Sequence, residues 1–88
     1  MLDKKYILII GKYQTLDKER VRLIRTVLDE GRNVCIALID TKISKIDPYN
    51  IDTRKTMFYK EFRDEITRSE LVVTSIPDIT EVYYEEND

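Results

Sequence analysis

The chain has 88 residues, of which 42% are hydrophobic and 36% charged, and its net charge is −2. That balance belongs to one globular domain, not to a disordered chain, and it gives no general attraction to nucleic acid or to an anionic membrane. With no histidine and one cysteine, Cys35, an internal disulfide and a His/Cys zinc site are excluded, and no imidazole is present to activate the thiol.

The opening "MLDKKYILII" is too short and too poor in basic residues for a signal peptide, and nothing approaches membrane-spanning length. The expectation is a soluble, cytoplasmic protein. "KYILIIG" (5–11) is a continuous apolar run ending at glycine, which predicts a strand buried on both faces, as in a parallel sheet. "DKERVRLIRTVLDEG" (17–31) predicts a helix. Val21, Ile24, Val27 and Leu28 recur at spacings of three and four and form one apolar stripe. Asp17 suits the N-cap and Gly31 the C′ position.

"NVCIALID" (33–40) reads as a second buried strand, with Cys35 a small apolar residue within it. "TKISKIDPYN" (41–50) is a loop punctuated by Asp47-Pro48. "IDTRKTMFYKEFRDEI" (51–66) predicts a second helix capped by Asn50, with Phe58, Phe62 and Ile66 in an i, i+4 ladder. "ELVVTSI" (70–76) predicts a third strand stopped by Pro77. "TEVYY" (80–84) is a short strand or half a helical turn. Tyr83-Tyr84 suits either core packing or an interface. Residues 85–88 form an acidic tail after a domain spanning 1–84.

Strands alternating with helices predict a three-layer α/β sandwich around a short parallel sheet, with right-handed crossovers. Ligands of such sheets sit beyond the carboxyl ends of the strands, near a helix N-terminus. Three segments are expected to converge there: "GKYQTLD", "DTKIS" and "SIPDI". There is no P-loop and no G-x-G-x-x-G, and the acidic residues near the C-terminus match no calcium-loop spacing. Basic and acidic residues mix on both helices, so no nucleic-acid face emerges.

Taken together, these segments resemble the adenylyl- and cytidylyltransferase superfamily, whose signature G-[RK]-[FY]-Q-P-[FL]-H-x-G-H follows the first strand. Here that stretch is Gly11, Lys12, Tyr13, Gln14, Thr15, Leu16, Asp17, Lys18, Glu19, Arg20. "DPYNIDTRKTMF" is similar to the segment in which N-P-[YF]-x-x-x-x-R opens the family's second helix, which places Arg54 at its arginine. The resemblance covers about residues 5 to 84 and implies a Rossmann-like nucleotidyltransferase fold. It departs from the family at the active site. Asp17 and Arg20 stand where the family has histidines that hold the nucleotide phosphates, and Glu19 replaces the glycine between them. The family's later I-S-[GST]-T-x-x-[RK] phosphate-binding helix start is absent.

What the resemblance implies is therefore a pseudoenzyme with no catalytic residues, no metal and no cofactor. It retains the floor of a nucleotide pocket at Gly11, Lys12, Tyr13, Arg20, Asp40 and Arg54. Lys12 and Arg54 also read as solvated surface charges, Gly11 as a turn glycine needed by the fold alone, and Asp17 as a cap. Three functions compete: a protein-interaction or regulatory module, including a viral effector; a non-catalytic nucleotide sensor or sponge; and a residual transferase using Arg20 and Lys18. The family's sheet order leaves the first strand at an edge here, because this chain stops before strands four and five. That predicts a homodimer paired through Tyr6–Ile10, or a cover provided by "TEVYY".

Overall fold

The computed structural model describes residues 5–78. Strand β1 (Tyr6–Gly11) leads to helix α1 (Lys18–Asp29), strand β2 (Asn33–Asp40), helix α2 (Ile51–Glu61), a short helix α3 (Arg63–Thr67) and strand β3 (Leu71–Pro77). The predicted 80–84 segment and the acidic tail lie outside the described residues. No described helix is long and apolar enough to cross a membrane.

Local chemistry sets the helix ends. The Asp17 carboxylate accepts a hydrogen bond from the Arg20 amide at 2.9 Å, and the Asn50 side chain accepts one from the Thr53 amide at 2.8 Å. Both caps satisfy a donor that the first helical turn leaves without an intrahelical partner. Beyond α1, Gly31 turns the chain with φ +81° and donates to the Leu28 carbonyl at 2.9 Å. This is the left-handed C′ geometry that glycine adopts without a Cβ penalty.

The helix predicted over 51–66 is broken. Phe62, at φ −119° and ψ 36°, ends α2 and precedes α3. Phe58 and Phe62 are nevertheless both fully buried, with ring centroids 6.3 Å apart and planes at 21°. The ladder seen in the sequence survives, and the backbone bends where the second ring is seated in the core.

The three strands pair in parallel in the order β1-β2-β3. Among the described residues β1 therefore forms an edge, as expected. This order also decides the layering. Both crossovers step the same way across the sheet, and crossovers of one hand then put their helices on the same side. The core confirms this. Ile24 of α1 and Phe58 and Phe62 of α2 and its end pack on Val34, Ile36, Leu38 and Leu71, with Ile9 and Val73 against them. Fully burying each such side chain contributes roughly 1.5–3 kcal/mol. The described residues thus form two layers, which corrects the expected three-layer sandwich.

The expectation that "YILII" is buried on both faces is corrected for the same reason. Side chains alternate across a strand, and the register aligns Leu8 with Cys35 and Val72, and Ile10 with Ala37 and Thr74. These rows lie on the face opposite the helices. There Leu8 is 58% exposed, Ile10 47% and Val72 38%. Tyr6, Asn33, Ile39 and Ile76 complete this face by the same alternation, and no residue on it is charged, in a chain that is 36% charged. Cys35, read as buried, is half-buried here.

Candidate functional site

The carboxyl ends of the strands hold a groove of about 630 Å³, formed by the turn after β1, the start of α1 and part of the 41–50 loop. Gly11, Lys12, Tyr13 and Arg20 all line it, together with Gln14, Asp17 and Asp47. Of the three predicted segments, only "GKYQTLD" lines this groove; Ile46 and Asp47 come from the loop beyond "DTKIS". The other two meet apart from it, where Asp40 lines a separate hollow of about 380 Å³ with Ser75, Ile76, Pro77 and Asp78, which corrects the expected convergence of all three.

Tyr13 organises the groove. Its backbone is left-handed, at φ 49°, a region that non-glycine residues seldom occupy and that costs of order 1–3 kcal/mol. The turn folds its ring back over Gly11, where a Cβ would come within 2.8 Å of Tyr13 Cε2. Glycine at position 11 thus leaves room for this ring. The ring meets Phe58 edge-on at 5.3 Å and 83°, and the Arg20 guanidinium lies 4.9 Å from its centroid. Burial pushes the Tyr13 hydroxyl above its ordinary pKa, with Arg20 opposing the shift and Asp17 adding to it. Tyr13 is 8% exposed, so it serves as the floor of the groove and as core at once.

The cations of the groove have carboxylate partners within the chain. Lys12 Nζ lies 3.4 Å from Asp47 Oδ2, and Arg20 Nε lies 3.9 Å from Asp17 Oδ2. The N-terminus of α1, which would otherwise attract an anion, is occupied by the Asp17 carboxylate and carries Glu19 in its first turn. A polyphosphate at this end therefore meets the Asp17 and Glu19 carboxylates as well as the cations. The loop wall is also tied down. Gln14 bonds the Tyr49 backbone in both directions, at 3.2 and 2.9 Å. Ser44 Oγ accepts from the Ile46 and Asp47 amides.

Arg54 is neither a solvated charge nor a groove residue. It is fully buried. Nη1 donates to the Lys12 carbonyl at 2.6 Å and to the Ile39 carbonyl at 2.9 Å, with a longer contact from Nε to the Asn50 carbonyl at 3.4 Å. Its guanidinium ties the turn after β1 to the end of β2. Arg54 Nη2 and Thr41 Oγ1 are buried without a hydrogen-bond partner among the described residues. A buried charge held by carbonyl dipoles fixes backbone position.

Sequence reasoning missed Asp47, Gln14 and Tyr49 as parts of one wall. The Asp47-Pro48 turn marked a loop, but nothing local tied it to residues 35 positions earlier. No group of three or more His, Cys, Asp or Glu residues is placed to hold a metal ion among the described residues. Compared with known proteins, the chain matches no family model, no curated protein and no solved structure.

Proposed function

We propose that this chain is a nucleotidyltransferase-like, Rossmann-like domain without transfer chemistry, working in the cytoplasm as a protein-interaction or regulatory module of the kind viral effectors provide. One observation carries the reading: among the described residues the helix-free face of the sheet is uncharged, mostly apolar and uncovered, with Leu8, Ile10 and Val72 facing solvent. Parallel sheets ordinarily have both faces covered, and an exposed apolar patch rimmed by polar surface marks a contact site. The groove supports the loss of chemistry, because Asp17 and Arg20 pair with each other where the resemblance calls for two neutral phosphate donors.

A second reading, nucleotide binding without turnover, draws on the groove itself, where Lys12 and Arg20 flank the turn at the start of α1. Thermal unfolding with ATP, CTP and ADP-ribose separates the two readings. A ligand at a hundred times its dissociation constant adds about 2.7 kcal/mol of stability. The interaction reading expects no shift with any of the three, and no pyrophosphate release. It also expects that affinity capture from host cells recovers a protein that Leu8→Glu loses and Lys12→Ala keeps. A nucleotide shift abolished by Lys12→Ala would establish the second reading instead.

A further inference from the structure

Resting on the interaction reading above, we infer that the partner of the open face is a second copy of this chain, packed sheet on sheet about a two-fold axis. The relief of the face fits itself. Leu8 and Ile10 form a ridge along β1, and Val72 forms a lower one on β3. Between them the middle of β2 presents two small side chains, Cys35, half-buried, and Ala37, 2% exposed, with Asn33 and Ile39 at the two ends of the trough. The β1 ridge of each copy enters the β2 trough of the other, so one patch supplies both halves of an isologous contact.

Charge points the same way. The helices and loops of this chain are dense in ions, as Arg25 with Glu61 and Glu65, Arg68 with Glu70, and Lys12 with Asp47 illustrate. Pressed against an apolar face, such groups lose hydration without compensation. Among the described residues, the uncharged face is matched by its own copy. Strands about 4.8 Å apart, with about six residues each rising about 3.3 Å, give a footprint near 300 Å². Over both copies that is about 600 Å², below the roughly 1,200 Å² where stable specific interfaces begin, so the dimer is weak, transient and concentration-dependent.

The contact differs from the edge pairing predicted through Tyr6–Ile10, and the two are separable. Stacked sheets lie about 10 Å apart, which places Cys35 inside the interface. Edge pairing leaves Cys35 open, and Val72 lies on the strand farthest from the β1 edge. Sedimentation and light scattering of the full chain, from micromolar to millimolar, are expected to show monomer passing to dimer. Maleimide labelling of Cys35 is expected to slow in step with dimer formation. Val72→Glu, checked for folding by circular dichroism, is expected to weaken association by at least about tenfold, since it buries an unpaired carboxylate.

A monomer at every concentration overturns the proposal. So does a dimer that keeps its affinity in Val72→Glu and a constant Cys35 labelling rate, which is the edge-paired result. If Val72→Glu does not fold, the wild-type labelling series decides alone. A monomer that still captures another protein, and loses it on Leu8→Glu, removes the second copy and leaves the interaction reading standing. A monomer whose capture ignores the face ends both.

Discussion

The two faces of the sheet come from the same three strands and the same kinds of residue. On one face Ile9, Ile36 and Val73 lie beneath α1 and α2, and their row continues into the buried Phe58–Phe62 pair. On the other Leu8, Cys35 and Val72 form an equally apolar row with no described element above it. Hydrophobicity along a strand therefore does not report which face is covered. The direction of the crossovers does. Apolar residues stand on both faces: one meets the chain's own helices, and the other carries the contact proposed above.

The contrast can be broken at its strongest point first. Phe58→Ala removes a fully buried ring that touches both Tyr13 and Phe62. It is expected to cost about 3–5 kcal/mol, a large part of the total stability of a domain this small. Urea unfolding followed by circular dichroism should find the variant largely unfolded at room temperature. Arg54→Met comes next. It keeps a long side chain but strands the Lys12 and Ile39 carbonyls. A loss of about 2–4 kcal/mol is expected, and hydrogen exchange should rise at the turn after β1 before it rises in β2. Equal loosening everywhere would show that Arg54 is not the tie between those two segments.

A smaller effect sharpens the picture of the groove floor. The Tyr13 hydroxyl titrates above its ordinary value because the ring is buried. The folded state thus favours the protonated phenol. The resulting stability is complete below the unfolded pKa of about 10 and is lost as pH rises through the raised folded pKa. Unfolding series between pH 8 and 11 should fall more steeply for the wild type than for Tyr13→Phe. Parallel curves would mean that the phenol is not held neutral by the fold. The least effect is expected on the open face. Leu8→Ala, measured dilute, should change stability by no more than about 0.5–1 kcal/mol, because the side chain is already more than half exposed. A core-sized loss there would erase the difference between the two faces.

Much was legible from local signals. Asp17 and Asn50 cap because a short polar side chain placed before an apolar stripe satisfies amides within its own turn, and Gly31 ends α1 through its own backbone freedom. The strands were legible because β-branched runs between turn residues have few alternatives. The candidate site was legible in part: Gly11, Lys12, Tyr13 and Arg20 share a groove because they belong to one turn and the first residues of one helix. Asp40 parted from them because β1 ends opposite Leu38, whereas β3 runs on to Pro77 beside Asp40.

Local order along the chain, then, was determined by the sequence itself, since a cap, a turn glycine or an apolar run acts on neighbours within a few residues. Tertiary structure decided the rest. It placed Arg54 under a carbonyl 42 positions away, paired Lys12 with Asp47 across 35, and put both helices on one side of the sheet. Such contacts depend on how crossovers fold back over the strands, and no side chain encodes that direction by its identity alone.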